Sequence, residues 1–277
     1  MTLLSPQNPR LLERLSPFVV ATAEHQEHFD LRPFGLEIQQ RFDPLKSASG
    51  PFLELLRHLD GATFGPEGMP MPRWVFFDGA ELPGGIVGFG ANEADLLPST
   101  REAMKVKSGS GQFVPLAMFI AIPTHEQGIW MAHNLASMAP QLPEEGLAGL
   151  GGLTKAVGLK TYRARRQIGA TQWNSSALSI HTRLGPLELL SAWTPAHSEA
   201  WTLTYGVTLS DAVLKNLARD ADGEVERPAV WKWIDSEDHV SQRELQARIE
   251  AGERLCIANK PEILGADHLR VPVARLL

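Results

Sequence analysis

The chain has 277 residues, of which 43% are hydrophobic and 21% charged, and its formal net charge at pH 7 is −6. These values are ordinary for a soluble globular protein with one large domain, or with one domain and an appendage. Because lysine and arginine are scattered along an acidic chain, the composition argues against nucleic acid as the main partner.

Cysteine and histidine usage argues against a metal centre or a disulfide framework. Cys256 is the only cysteine, and the nine histidines show no metal-ligand spacing. The N-terminal residues lack a continuous apolar segment, and no apolar run approaches the roughly 20 residues that cross a bilayer. We therefore expect a cytoplasmic protein with no metal and no membrane partner.

Hydrophobic periodicity predicts a mixed α/β fold with a central, mostly antiparallel sheet flanked by helices. Residues 1–28 contain three prolines and are interpreted as an N-terminal extension. The elements that follow are a strand at Phe29–Phe34, a helix at Phe52–Leu59, strands at Arg73–Asp78, Gly85–Gly90, Pro115–Ile122 and Gly128–Ser137, a helix at Leu147–Tyr162, a strand at Gln167–Trp173, a helix at Asn174–Leu184, and a hairpin-like pair at Leu187–Trp193 and Trp201–Val207.

The character of the chain changes at Ser210. We expect helices at Asp211–Asp220 and Ser241–Gly252, the second of them with a capping box formed by Ser241 and Glu244. The sequence thus divides into an extension at 1–28, a main domain at 29–209 and a helical C-terminal extension or subdomain at 210–277. The last segment is a candidate lid or oligomer contact, and a homodimer is compatible with the sequence.

Glycines crowd the start of the helix predicted at Leu147–Tyr162. They stand at positions 146, 149, 151 and 152 in the segment LPEEGLAGLGG. A glycine in a helix costs about 1 kcal/mol relative to alanine, so the cluster indicates that something approaches the backbone closely. An exposed helix N-terminus with this composition predicts an anion site.

A second segment, NSSALSIHTRLG, follows about 25 residues later. Asn174 stands where a helix N-cap belongs, and Gly185 is a stop signal. Ala177, Ile180 and Leu184 share one helix face.

Together the two segments resemble motifs of the GNAT superfamily of acyl-CoA-dependent N-acyltransferases. In that family a proline-containing strand end leads to Arg/Gln-x-x-Gly-x-Gly/Ala, which Pro143–Gly151 resembles, and a later segment reads Asn-x-x-Ala-x-x-x-Tyr-x-x-x-Gly-Phe. Asn174, Ala177, His181 and Gly185 match the second spacing. Gly146 replaces the family's Arg/Gln, His181 its tyrosine, and Pro186 its phenylalanine. The resemblance covers roughly residues 29–209, mainly by the order of the elements.

The resemblance implies that acetyl-CoA or another acyl-CoA is a co-substrate and that a small-molecule or peptide amine is the acceptor. The strand end at Ser137–Gln141 would supply backbone N–H groups, although Pro140 lacks one. The residues implied in cofactor binding are Gln141, Gly146, Leu147, Ala148, Gly149, Leu150, Gly151, Gly152, Asn174 and Ala177.

Two histidines are the candidate catalytic residues. The resemblance implies that His181 donates a proton to the departing thiolate; otherwise it is a helix residue that faces solvent. His133 is the candidate general base, and the other interpretation is a satisfied core or cleft histidine on the side of Met131 and Leu135. We expect Glu144 and Glu145 to be solvated, because a carboxylate beside a pyrophosphate would repel it.

Two other functions stay open. A protonating histidine at position 181 also suits an acyl-CoA or acyl-carrier decarboxylase on the same fold, and the loss of an anchor at Gly146 suits a non-catalytic protein that binds a CoA-like ligand. The tryptophans are expected to be mostly core fillers. If several of them meet at a cleft, the pocket they line is bulky and apolar: Trp74, Trp130, Trp173, Trp193 and Trp201.

Overall fold

The computed structural model describes residues 10–26, 29–68, 70–81, 85–195, 201–219 and 225–276. The chain divides into two compact units. Unit 1 comprises Met1–Ala164 with Ala218–Asp220, and unit 2 comprises Arg165–Leu217 with Ala221–Leu277.

Unit 1 is a sheet with helices packed against it. Its strands lie in the order β5-β4-β3-β1-β2, and every pair is antiparallel except β1–β2. The elements are α1 (Arg10–Arg14), β1 (Ser16–Val20), α2 (Ala23–Gln26), β2 (Gln40–Phe42), α3 (Gly50–Phe64), α4 (Arg73–Glu81), β3 (Gly85–Asn92), α5 (Pro98–Ala103), β4 (Phe113–Pro123), β5 (Ile129–Ser137) and α6 (Leu150–Thr161).

The core of unit 1 lies between the sheet and helices α3 and α6. Phe18, Phe89 and Phe119 are almost fully buried there. Helix α6 approaches β4 closely because Gly158 has no side chain: a Cβ at that position would lie 2.5 Å from Cδ1 of Phe119.

Unit 2 is also built around antiparallel strands. The strand order is β6-β8-β7-β10-β12-β11, and β9 pairs with β12. Trp173 and Tyr205 are its largest fully buried side chains. The elements that follow along the chain are β6 (Arg166–Gln172), α7 (Leu178–His181), β7 (Leu187–Ser191), β8 (Thr202–Thr208), α8 (Asp211–Ala218), β9 (Lys232–Asp235), α9 (His239–Glu250), β10 (Leu255–Ile257), β11 (Glu262–Gly265) and β12 (His268–Arg275).

The predicted mixed α/β class with a mostly antiparallel sheet is confirmed. Strands β3, β4, β5 and β6 lie within a few residues of their predicted positions, and β4 and β5 pair antiparallel. The strands β7 and β8 pair as the hairpin-like prediction requires. Among the described residues, no helix combines the length and the apolar character needed to cross a membrane.

Two predicted strands are wrong. Within Phe29–Phe34, residues Arg32–Phe34 form a 3₁₀ turn, and Gly35 ends it at φ = 72°. The segment Arg73–Asp78 belongs to helix α4. Its aromatic and β-branched residues favour a strand locally, but burial follows a helical pattern, with pairs of buried residues separated by pairs of exposed ones.

The helix predicted at Asn174–Leu184 is shorter than expected. Helix α7 begins only at Leu178, with Ala177 at its N-cap, so Asn174 is not the cap. A 3₁₀ turn, Thr182–Leu184, continues it to Gly185, whose φ of 124° confirms the predicted stop. In helix α9 the cap is Asp238, which accepts a bond from Ser241 N–H, so the predicted capping box at Ser241 is also wrong.

The two terminal segments contain more strand than expected. Ser16–Val20, within the segment interpreted as an extension, is a strand of the unit 1 sheet. Residues 210–277 contain the predicted helices α8 and α9, but also β9 to β12, so the description of this segment as helical is incomplete. These strands have only three to eight residues, which gives a weak periodic signal.

Candidate functional site

The glycine-rich segment of unit 1 forms a tight turn before helix α6. A 3₁₀ turn at Pro143–Glu145 is followed by Gly146 at φ = 69°, and Gly149 at φ = 81° is the N-cap of α6. Only glycine adopts this left-handed conformation without strain. Because α6 starts at Leu150, three residues of the predicted helix, Leu147, Ala148 and Gly149, precede it.

The start of α6 presents backbone N–H groups. Its first main-chain bond of helical spacing runs from Leu153 N–H to the Gly149 carbonyl over 3.0 Å. The N–H groups before Leu153 therefore have no acceptor within the helix, which is the usual origin of anion binding at a helix N-terminus. The Leu147 and Leu150 side chains are buried, and the Leu150 N–H already bonds to the Leu147 carbonyl over 3.0 Å, so Leu150 has no available donor for a ligand.

Glu145 is fully buried, and the expectation that it is solvated is wrong. Arg14 forms an ion pair with its carboxylate and donates a 2.8 Å bond to its carbonyl. The same carboxylate accepts bonds from Leu97 N–H and the Thr100 hydroxyl at the start of α5. Its charge is thus neutralised inside the fold, whereas Glu144 is exposed as expected.

Strand β5 ends directly against the first turn of α6. A Cβ on Gly151 would lie 3.6 Å from the Ser137 Cβ, so helix and strand are in close contact there. Beyond Ser137, the N–H groups of Met138 and Gln141 bond to the carbonyls of Leu116 and Met138. The Gln141 N–H is therefore occupied, while its side chain is exposed.

His133 lies at a β-bulge in β5. Ile120 of β4 pairs with Asn134, and the next residue, Ala121, pairs with Ala132, so His133 has no partner in the β4 register. A bulge re-aims a side chain and is frequent beside active sites. The strict alternation that puts His133 beside Met131 and Leu135 is interrupted here, and the imidazole is exposed.

A buried polar pair stands next to the bulge. The Asp60 carboxylate, on α3, is 1% exposed and accepts 2.7 Å bonds from Asn134 Nδ2 and Met71 N–H. Burial raises the pKa of Asp60, and the two hydrogen bonds and the charge of His133 oppose the increase. Asn134 Oδ1 is buried and has no hydrogen-bond partner within the described part of the chain.

His133 lines a cavity of about 130 Å³ with mostly apolar walls. One wall is α4, where Trp74 and Asp78 are one helical turn apart and both exposed. The opposite wall is the end of β4. The lining residues are Trp74, Val75, Asp78, Gly79, Ala121, Ile122, Pro123 and His133.

Of the tryptophans considered as pocket residues, Trp74 lines this cavity and is 63% exposed. Trp130 stacks on Tyr162 at 4.6 Å between ring centroids. Trp173 is a buried core residue, as expected. Its indole N–H donates a 2.8 Å bond to the Ala192 carbonyl, so the buried donor is satisfied.

The remaining predicted site residues lie in unit 2. His181 is the last residue of α7, and its N–H bonds to the Ala177 carbonyl, so the two are one turn apart as expected. The His181 ring lies 5.2 Å from the ring of Tyr205. Tyr205 is fully buried, burial raises its pKa, and its hydroxyl accepts a 3.0 Å bond from Gln167.

Unit 1 thus contains the glycine turn and His133, and unit 2 contains Asn174, Ala177 and His181. Sequence reasoning missed Asp60, Asn134 and Asp78, and it considered Trp74 only as one of five tryptophans. Because the strand prediction was wrong, it did not show that Trp74 and Asp78, four residues apart, share one helix face. Asp60 lies one residue beyond the predicted helix Phe52–Leu59, and its burial became visible only because α3 continues to Phe64.

The chain matches no protein-family model, and no curated protein matches it.

Proposed function

We propose that the protein is a CoA-dependent N-acyltransferase of the GNAT type. The observation that carries this proposal is the arrangement along β5. The strand holds His133 at a bulge, and four residues later it ends at Ser137 beneath the glycine turn of α6. Four residues of strand span about 13 Å. This suits a ligand whose anionic end binds at the turn while a flexible arm runs along the strand to the reacting thioester.

The glycine turn is the proposed pyrophosphate site. Backbone N–H groups of Ala148, Gly149, Gly151 and Gly152 supply the donors, and the family resemblance also implies Gln141 and Leu147. The family side chain missing at Gly146 is not replaced by a free charge. Arg14 Nη1 lies 3.9 Å from the point that a Cβ on Gly146 would occupy, but this guanidinium is paired with Glu145, so the backbone N–H groups carry the proposed binding.

His133 is the proposed general base. Its side chain is exposed to the cavity, where it can take a proton from the amine. The amine nitrogen then attacks the thioester carbonyl carbon. A C–N bond forms, the C–S bond breaks, and CoA leaves as a thiolate that takes up a proton.

His181 is the proposed donor of that proton. An imidazole that titrates near neutral pH is a better donor than a tyrosine with an ordinary pKa near 10. The contact between the His181 and Tyr205 rings restricts the orientation of the imidazole.

The cavity beside His133 fits an amine with an apolar body. Its wall of Trp74, Val75, Ile122 and Pro123 buries aliphatic or aromatic carbon, and the Asp78 carboxylate attracts an ammonium group before the proton is removed. We therefore propose arylalkyl or alkyl primary amines as the acceptor class.

Acyl transfer is tested by mass spectrometry of the full-length protein with acetyl-CoA and single amines. We expect one N-acetyl product per free CoA thiol with phenethylamine and hexylamine, and a slower reaction with the hydrophilic ethanolamine. A reaction without amine is the control for hydrolysis. Thiol release that never yields an amide, with any amine, contradicts the proposal. Conversion of malonyl-CoA to acetyl-CoA and CO₂ with no amide formation would favour the decarboxylase.

A further inference from the structure

A second group of chemically active side chains lies in unit 2, at the end of the β9–β12 ladder. Asp235 is the last residue of β9, Glu237 follows in the turn, and His268 is the first residue of β12. One ligand atom from each of these residues lies within 4.8 Å of the other two. The His268 Nε2 and the Asp235 Oδ2 are 2.8 Å apart.

The backbone fixes the three residues. β9 and β12 pair antiparallel from Lys232 to Asp235. Past the last pair, Ser236 N–H bonds to the Leu269 carbonyl over 2.9 Å, and Leu269 N–H bonds back to the Ser236 hydroxyl over 3.0 Å. The other Asp235 oxygen, Oδ1, accepts a 2.9 Å bond from Glu237 N–H, which orients the carboxylate.

Two charged residues near these three side chains have partners elsewhere. Arg270 is opposite Asp235 in the register, but its guanidinium lies over the Trp233 ring at 5.2 Å and contacts Glu262 at 3.4 Å. The Asp238 carboxylate caps helix α9 through Ser241 N–H. Two carboxylates and one imidazole thus converge from two strands and a turn.

We propose that Asp235, Glu237 and His268 bind a divalent cation of the borderline class, with zinc as the representative ion. An imidazole nitrogen and two carboxylate oxygens are ligands that zinc accepts, with water at the remaining positions. Two ligands about 2.1 Å from one ion, at angles between octahedral and tetrahedral, are roughly 3.0–3.4 Å apart. His268 and Asp235 need to separate only slightly to admit the ion, and the exposed Glu237 closes over it from solvent.

This site is independent of acyl transfer, and the test needs no substrate. Titration of the metal-free, full-length protein with ZnCl₂ in a calorimeter should give one bound ion per chain, and zinc should raise the melting temperature because it binds only the folded state. His268→Ala should abolish the bound equivalent. Glu237→Gln should weaken binding and leave the fold intact, since its side chain is exposed.

His125→Ala is the matched control. His125 and Glu126 form another exposed histidine–carboxylate pair, at 3.8 Å, but they have no third ligand in the described part of the chain. Zinc affinity should be unchanged in this variant. A wild-type protein that binds no zinc, or a folded His268→Ala protein with wild-type stoichiometry and affinity, would overturn the assignment.

Discussion

The side-chain amide of Asn134 donates a 2.7 Å hydrogen bond to the buried carboxylate of Asp60. This bond joins helix α3 to strand β5 at the residue next to the bulge. A buried carboxylate is costly unless hydrogen bonds satisfy it, and here Met71 N–H provides a second bond. The hydrogen bond holds Asn134 in place, and the neighbouring residue His133 has an exposed imidazole that lines the cavity.

Removal of the proposed base should slow chemistry without loss of the fold. We expect His133→Ala to lower turnover with acetyl-CoA and phenethylamine by roughly 10²–10⁴-fold, the usual contribution of a general base. The acidic limb of the pH–rate profile, which reports deprotonation of the base, should disappear. Steady-state kinetics measure both effects. His125→Ala removes an exposed histidine from a turn and should leave turnover unchanged. Wild-type turnover in His133→Ala would exclude this role.

The role of His181 can be separated from its packing against Tyr205. His181→Phe keeps an aromatic ring there but cannot donate a proton, so we expect turnover to fall by about 10²–10⁴-fold while CoA affinity changes little. His181→Tyr should recover part of the rate, because the resembled family has tyrosine at this position. Single-turnover kinetics and calorimetry measure these quantities. If the phenylalanine variant is as active as the wild type, the histidine serves only in packing.

Two glycine-to-alanine changes should have opposite effects on the free energy of unfolding, because only Gly158 lies in a close contact between α6 and β4. Gly158→Ala puts a Cβ 2.5 Å from the buried ring of Phe119, and overpacking of this kind costs about 1–3 kcal/mol. Gly61→Ala, in helix α3, meets nothing within 4 Å and should stabilise the protein by about 0.5–1 kcal/mol through helix propensity. Urea denaturation measures both free energies of unfolding. Equal effects at the two positions would contradict the packing described here.

The sequence predicted the parts of the fold that depend on local pattern. The apolar run in β4 and the glycine stop at Gly185 are readable because burial and backbone conformation leave direct marks in composition. The prediction for Arg73–Asp78 is wrong because tertiary packing against β3 and β4 overrides the strand preference of its aromatic residues.

The candidate site was predictable only in part. The glycine cluster is visible in the sequence, but the left-handed conformation of Gly146 and Gly149 was not among the predictions. The bulge at His133 depends on the β4–β5 register, which no single-strand pattern contains. Likewise, the burial of Glu145 depends on Arg14, 131 positions away, and is invisible to local reasoning.

Calorimetric titration of CoA into matched Gly149 variants tests whether the glycine turn binds the pyrophosphate of CoA. Gly149 has φ = 81°, a conformation that asparagine and aspartate tolerate better than most residues. Gly149→Asn and Gly149→Asp therefore share the steric change and differ in charge. We expect one CoA per wild-type chain, weaker binding in Gly149→Asn, and no detectable binding in Gly149→Asp, because a carboxylate repels the phosphates. A folded Gly149→Asp protein that binds CoA with wild-type affinity, or a wild-type chain that binds no CoA, would contradict the account.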